Sequence, residues 1–326
     1  MPKRTSIPSC YADAASGSEQ GAVTMGKQKH RRLLTSRDIW GWLFMLPFVL
    51  SLFVFGILPM IVSVGLSLFS YDLYQTPVFV GLGNFRSLLL EDAEFTQALK
   101  NTLVYAFTVT PITFFLNFFL AWTLNSLRPG LRNVMVMLFY IPQMSAGGAL
   151  TIVWMYLFSG DRYGLINHFL TTMGWITQPI QWLTDTDILF YVVMFIGVMM
   201  GSGMTFLTFV SGFQALPADV YEAGRIDGVR GRFRELIYLT APQMKPQMLY
   251  GAVTASVGAF AVADIPAAVA GFPSPGYAAH TIALHMRDYG FIRFEVGYAS
   301  AISVVLFLLT FGTGWLLRKV LATHDG

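Results

Sequence analysis

The chain has 326 residues, 55% of them hydrophobic and only 12% charged, with a mean hydropathy of +0.57; this excludes an ordinary soluble domain and points to an integral membrane protein. The net charge of +3 is scattered over segment ends and loops instead of forming one basic stripe, which argues against nucleic acid as a partner. A single cysteine, Cys10, leaves neither an internal disulfide nor a cysteine metal cluster to hold the chain together.

Residues 1–38 read as a cytoplasmic tail. The first 24 are rich in Ser, Ala and Gly, lack an apolar period and are expected to be disordered. Met25-Gly-Lys-Gln-Lys-His-Arg-Arg has the form of a membrane-protein start, so the preceding segment reads as an upstream extension of the reading frame or a dispensable tail. A signal peptide is disfavoured because the next apolar run is too long and has no small-residue cleavage site. No apolar run precedes Ser9-Cys10, which removes a lipoprotein reading.

Crossing ~30 Å of hydrocarbon takes about 20 mostly apolar residues in a helix. Six stretches meet this requirement: Ile39 to Ser70, Thr102 to Leu127, Val134 to Phe158, Ile188 to Phe213, Gln247 to Ala270 and Val296 to Leu317. The expected fold is therefore all-α, a polytopic bundle of six transmembrane helices over residues 39–320 with a short tail at 321–326. Pro47 and Pro59 should kink or end the first span, and Ile265-Pro266 makes the fifth the one expected to break in mid-membrane. Gly197, Gly201, Ser202 and Gly203 in the fourth should let helices approach closely.

With the N-terminus inside, sixteen of the 21 Lys and Arg residues fall on inner segments and only Arg86, Lys100, Arg162, Arg287 and Arg293 fall outside. This satisfies the positive-inside rule with both termini cytoplasmic, and it places the loop 214–246 in the cytoplasm.

That loop is the only long charged insertion between two apolar spans. Leu216-Pro217 and Asp219 suit a helix start and Gly228 a helix end, giving a rod of about ten residues, roughly 15 Å long at ~1.5 Å per residue. Val220, Ala223, Gly224 and Asp227 should share a face on which the small pair Ala223/Gly224 admits a partner's wall. Beyond it, Phe233, Leu236, Ile237 and Leu239 would hold a second helix against the membrane domain.

The run Glu222-Ala-Gly-Arg-Ile-Asp-Gly228, followed by Phe233 and by Pro242 twenty residues after Glu222, resembles the EAA loop of ABC importer permeases, most closely those of the maltose-type carbohydrate importers. The resemblance extends from about Ile39 to Lys319. Gly224 stands where that family usually has a second alanine; at ~1 kcal/mol for Gly against Ala in a helix, this bears on the rod's rigidity. The resemblance implies a type I importer permease that docks an ATPase subunit dimer through Glu222, Ala223, Gly224, Asp227 and Gly228. It also implies a second homologous permease and an extracytoplasmic solute-binding protein, a bacterial or archaeal cytoplasmic membrane, and a sugar or oligosaccharide as cargo. No cofactor is expected on this chain, with ATP and its Mg held by the ATPase subunits.

The outer segments carry Gly81-Leu-Gly-Asn-Phe85 with Glu91, Asp92 and Glu94, then Gly160 to Asn167 with Trp175 and Trp182, then Gly276-Tyr-Ala-Ala-His-Thr281 leading into Gly297-Tyr-Ala-Ser-Ala-Ile-Ser303. The first and third resemble segments of the same family; the tryptophans are expected at the membrane interface. His280 and His285 are expected to be a solvated pair. No phosphate loop, metal-binding histidine spacing or nucleophile elbow occurs, so an enzymatic role for this chain alone is not expected. A passage for sugars needs polar groups at membrane depth. Asp264, beside Ile265-Pro266, is the first candidate and should face a wet cavity or a partner; Asn117 and Gln143 follow. Other readings are an ion-coupled secondary transporter, although no internal repeat is visible, a membrane scaffold, or an ABC permease for a non-sugar solute such as glycerol phosphate.

Overall fold

The computed structural model describes residues 36–144, 149–201 and 203–322, and the N-terminal tail lies outside them. The chain divides into two compact units, Met1–Gly56 and Ile57–Gly326. Helix α1 (Ser36–Leu52) continues through Pro47 into a π turn at Phe53–Ile57, and α2 (Leu58–Leu66) follows. The helical run Leu43–Leu66 is apolar and none of it is buried. Of the two expected outcomes, a kink or an early end, it does not end at either proline, and its regular helix is interrupted just before Pro59. Pro59 occupies the first turn of α2 directly after the wider π turn, where a missing N–H and a bulky ring are accommodated.

A short hairpin of β1 (Phe69–Ser70) and β2 (Val78–Phe79) precedes α3 (Gly83–Leu90). Asn84 fixes it, donating from Nδ2 to the carbonyls of Ser67 and Phe69, both at 2.9 Å.

Helix α4 (Ala93–Asn125) is the axis of the bundle; its 33 residues make a rod of about 50 Å at ~1.5 Å per residue. Asp92 caps it, accepting from the Phe95 N–H at 2.8 Å. Helices α5 (Pro129–Met144) and α6 (Ala149–Leu157) then flank residues 145–148, which lie outside the described residues, and α7 (Leu165–Thr172) follows in a loop. Helices α8 (Leu189–Met200) and α9 (Gly203–Ala215) run alongside α4 in the same direction. Lipid is as apolar as leucine, so packing contact rather than water exclusion must hold these helices together. Gly197 lies against the Tyr105 hydroxyl, and a Cβ at Gly201 would come within 3.3 Å of Thr113. Further along, Phe209 meets Phe114 and Phe118 edge-on, with centroids 5.2 and 5.5 Å apart.

The loop after α9 holds α10 (Ala218–Ile226), α11 (Arg232–Glu235), a π turn at Leu236–Thr240 and α12 (Ala241–Gln243). Helix α13 (Lys245–Phe260) returns along α4 and α9, with Gly251 seated on the Phe209 ring. As Ile265-Pro266 suggested, the fifth apolar stretch is broken: α14 (Asp264–Ala270) bends 43° from α13. The Val262 carbonyl freed at the break accepts from the Thr281 hydroxyl at 2.7 Å, so the break leaves it satisfied. After α15 (Ile282–Arg287) and a π turn at Asp288–Ile292, α16 (Val296–Ala322) closes the bundle, joined to α2 by Ser303 and Ser63 at 2.9 Å.

Among the described residues four helical runs are long and apolar enough to cross a membrane, and the α13–α14 pair is a fifth if counted as one. The loop carrying α7 is organised by Asn167, which is fully buried. Its amide donates to the carbonyls of Ser159, Asp161 and Ile180 and accepts from the Ile180 N–H and the Trp182 indole. Trp182 is thus a staple inside this loop, whereas Trp175 is 74% exposed.

Candidate functional site: an exposed helix at one end of the bundle

Helix α10 begins at Pro217, whose φ of −65° and ψ of 137° stop the preceding helix and start the new one. It ends through Gly228 at φ 86°, with the Val229 N–H reaching back to the Gly224 carbonyl at 2.9 Å and the Asp227 N–H to Ala223 at 3.0 Å. The left-handed residue and the long back-bond close the helix in the way glycine allows most cheaply.

Glu222, Ala223, Asp227 and Gly228 are exposed, and Ile226 between them is 86% exposed. Gly224 is the exception. It is buried, facing Leu239, whose Cδ1 would lie 2.5 Å from an added Cβ. The expected face with Ala223 and Gly224 together is therefore split: Ala223 looks outward, while Gly224 is the seat of the following segment. The missing methyl is matched by the Leu239 side chain, so the rod is braced at the position where its rigidity was in question.

The second half differs from expectation for a related reason. The π turn at Leu236–Thr240 shifts the helical phase, which turns Leu236 and Thr240 inward and leaves Phe233 60% and Ile237 47% exposed. Tyr221 Oη of α10 meets Thr240 Oγ1 of this turn at 3.0 Å, joining the two halves of the loop, and the Arg232 guanidinium, 4.9 Å from the Trp122 ring centre, ties the loop to the end of α4. A small cleft of about 130 Å³ lies between them, lined by Trp122, Ser126, Tyr221, Arg232 and Glu235 among others. Arg225 and Glu235 lie 3.4 Å apart, the guanidinium 66% exposed and the carboxylate 17% exposed, so solvent screens the pair from the Arg225 side. The site is thus a short charged rod with an acidic and apolar outer face, fixed from behind.

The proposed pathway residues are dispersed. Asp264 is not a lone carboxylate in mid-span: it starts α14 after the break, its side chain is 89% exposed, and it pairs with Arg287 Nη1 at 2.9 Å. Gln143 is in the last turn of α5, and its side chain lies outside the described residues. Asn117 is fully buried in α4, and neither amide atom has a hydrogen-bond partner among the described residues. Burying an unpaired amide is costly, so Asn117→Leu is expected to stabilise the chain by about 1–2 kcal/mol, read as a higher unfolding midpoint in detergent. A lower midpoint would mean that the amide has a partner.

The third group of sequence-noted residues changes character most. His280 and His285 are not solvated; they are 1% and 0% exposed and joined to each other and to Asp92. Asp92 is a distant partner of His285, and no local spacing announces it.

The described residues thus form a largely helical bundle built on a long axial helix, with helices long and apolar enough to cross a membrane, a bent helix pair and an exposed charged helix at one end. A solved bacterial alginate ABC transporter, crystallised in complex with an alginate pentasaccharide-bound periplasmic protein, has a chain of the same fold; the TM-score is 0.69 at 18% identity, covering 87% of this chain and 94% of that one. No family model matches the chain. It is 30% identical over 286 residues to the probable ABC transporter permease protein YesP of Bacillus subtilis, covering 86% of this chain and 90% of the relative. It is also 30% identical over 277 residues to the lactose transport system permease protein LacF of Rhizobium radiobacter, covering 83% and 90%. The chain belongs to the ABC transporter permease family, on its carbohydrate-permease side, and is a transport subunit rather than an enzyme.

Proposed function

We propose that the chain is one half of the translocation pathway of a binding-protein-dependent carbohydrate importer, driven by ATP hydrolysed on a separate pair of ATPase subunits. The observation that carries this reading is α10: a rod exposed along Glu222, Ala223, Ile226 and Asp227 and braced through Gly224 by Leu239 can pass a push to the bundle without buckling. Relatives whose names specify lactose or arabinooligosaccharides, and the alginate transporter with its periplasmic protein, support a saccharide as cargo and a soluble receptor as donor.

In this reading six spans cross the cytoplasmic membrane. They are the run ending at α2, then α4, α5 with α6, α8 with α9, α13 with α14, and α16. Both termini and α10 lie inside, an orientation that the distribution of basic residues supports. A loaded binding protein docks on the opposite side, where the hairpin, the α7 loop and the α15 segment gather. Closure of the ATPase pair pushes α10, and the motion reaches α4 through Trp122–Arg232 and α13 through the Leu236–Thr240 turn. A second, homologous permease completes the passage. Glu222 forms a charge-assisted contact in the ATPase groove worth about 1–3 kcal/mol. ATP and Mg stay on the ATPase subunits; this chain binds no cofactor.

Reconstitution of the chain with its sibling permease, the ATPase pair and the binding protein in vesicles tests this reading. Uptake of a labelled oligosaccharide is expected to require both ATP and the binding protein and to stop with vanadate. Uptake that continues without ATP and collapses with the ion gradient would replace this reading by ion-coupled transport. ATP-dependent uptake of glycerol phosphate alone would change the cargo and not the class.

A further inference from the structure

At the end of the bundle away from α10, four polar side chains tie together elements that are far apart in the sequence. Tyr298 of α16 donates its hydroxyl to Asp92 Oδ2 at 2.8 Å, and His285 Nε2 lies 2.9 Å from the same oxygen. On the other side of its ring, His285 Nδ1 lies 3.1 Å from His280 Nε2. Asp92 caps α4, so the chain of contacts joins the start of α4, the segment leading into α15, and the first turns of α16. Asn101 and Thr102 of α4 hold the same segment by its backbone, Asn101 through the His280 carbonyl at 2.9 Å and Thr102 through the Ile282 N–H at 2.9 Å.

The proton positions follow from the partners. The Phe95 N–H, the Tyr298 hydroxyl and His285 together hold the Asp92 carboxyl below its ordinary value, although burial alone would raise it. Asp92 is therefore a carboxylate, and His285 must present Nε2–H to it. A neutral His285 then accepts at Nδ1, and His280 donates from Nε2. This leaves His280 Nδ1 bare, buried, and without a hydrogen-bond partner among the described residues. The link between the rings has room for one proton only, so a further proton on the pair ends at His280 Nδ1, where no acceptor meets it.

The surroundings do not relieve that N–H. Phe272 stacks on the His280 ring and Tyr277 meets it edge-on. Of the ionisable groups around the pair, Glu94 beside Asp92 on α4 and Asp288 after α15 are both engaged by Arg293, at 3.5 and 2.7 Å. The others are Tyr289, against the His285 ring at 4.9 Å, Tyr298, and Glu295 beyond them.

We propose that this cluster is an acid-sensitive latch: the neutral His280–His285 pair clasps the segment before α15 to α4 and α16, and a proton delivered to His280 opens the clasp. Burial, followed by the neighbouring His285, pushes His280 down from 6.5 to about 4. The closed form therefore refuses a proton that the open form accepts. The latch is fully closed above pH 6.5, weakens up to tenfold per pH unit as the pH falls toward about 4, and loses no more below it. With the topology proposed above, this end faces the outer medium and the latch reads external acidity; the latch itself does not depend on that topology.

Hydrogen exchange on the full chain in lipid nanodiscs tests the proposal, with rates corrected for the intrinsic effect of pH on amide exchange. Between pH 7.5 and pH 5, the amides of residues 276–289 are expected to exchange at least tenfold faster. His280→Gln should abolish this rise, because its amide can donate to His285 Nδ1 and leaves no bare ring nitrogen at position 280 to take a proton. His285→Gln bridges Asp92 and His280 in the same way but leaves His280 Nδ1 bare, so the rise should persist. It should also persist in His168→Gln, an exposed histidine on α7. Asp92→Asn removes the carboxylate and should speed exchange already at pH 7.5. A wild-type chain with no rise, an undiminished rise in His280→Gln, or unchanged protection in Asp92→Asn would each overturn the latch.

Discussion

Glu222→Lys and Gly228→Val are expected to lower ATP-dependent uptake at least tenfold while leaving the bundle folded. Glu222 is exposed and on the outer side of α10, so reversing its charge disturbs nothing in the chain's own core. What changes is the charge presented to whatever grips the rod, where a charge-assisted contact of about 1–3 kcal/mol becomes a repulsion. Gly228 acts through the backbone. No atom lies within 4 Å of where its Cβ would be, so space is available, but its φ of 86° is not. A β-branched residue there costs about 1–3 kcal/mol, and it reopens the turn that returns the Val229 N–H to Gly224. Both variants should elute as the wild-type chain does on size exclusion and fail to retain the ATPase subunits in a pull-down. Normal uptake in both would remove α10 from the drive mechanism, even if the chain still transports.

The parts of the structure that local chemistry determines were readable in the sequence. Pro217, Asp219 and Gly228 mark the ends of α10 within a dozen residues, and Ile265-Pro266 marks the broken span because proline acts on its own turn. What could not be read depends on partners supplied by the fold. His285 is partnered by Asp92, 193 positions away, and Asp264 at the start of α14 is paired by Arg287 at the end of α15, a meeting that no periodicity encodes. Gly224 looked like a weakness in the rod because Leu239, the side chain that fills its place, lies within a turn whose π geometry is invisible in apolar spacing. The same turn explains why the stripe of Phe233, Leu236, Ile237 and Leu239 divides between inside and outside. Asn167 shows the limit in another way: an asparagine in a loop is unremarkable in sequence, and only the closed loop turns it into an organising group.

The segments Gly81 to Phe85 and Gly297 to Ser303, more than two hundred positions apart, prove to be halves of one joint, and Gly297→Ala is expected to break it. The hairpin runs so close to the first turn of α16 that the Gly297 N–H bonds to the Tyr71 carbonyl at 3.0 Å. A Cβ at Gly297 would run into the Phe69 carbonyl oxygen and come within 3.0 Å of the Tyr71 nitrogen. Both are backbone atoms, so no rotamer change relieves the contact. Nor can β1 retreat cheaply, because Asn84 holds the Phe69 carbonyl at 2.9 Å and the Phe69 ring packs edge-on against Phe79 with centroids 5.3 Å apart. A single methyl should therefore cost about 2–3 kcal/mol, the upper range for overpacking, with the loss concentrated where α16 meets the hairpin. Gly312→Ala, further along the same helix, supplies the comparison: its added Cβ meets nothing within 4 Å, and helix propensity should return about 0.5–1 kcal/mol. In thermal unfolding of the purified chain in detergent, the two variants should move in opposite directions from wild type. Equal midpoints would mean that the hairpin yields, and that the approach of Gly297 to β1 is a consequence of packing elsewhere and not its cause.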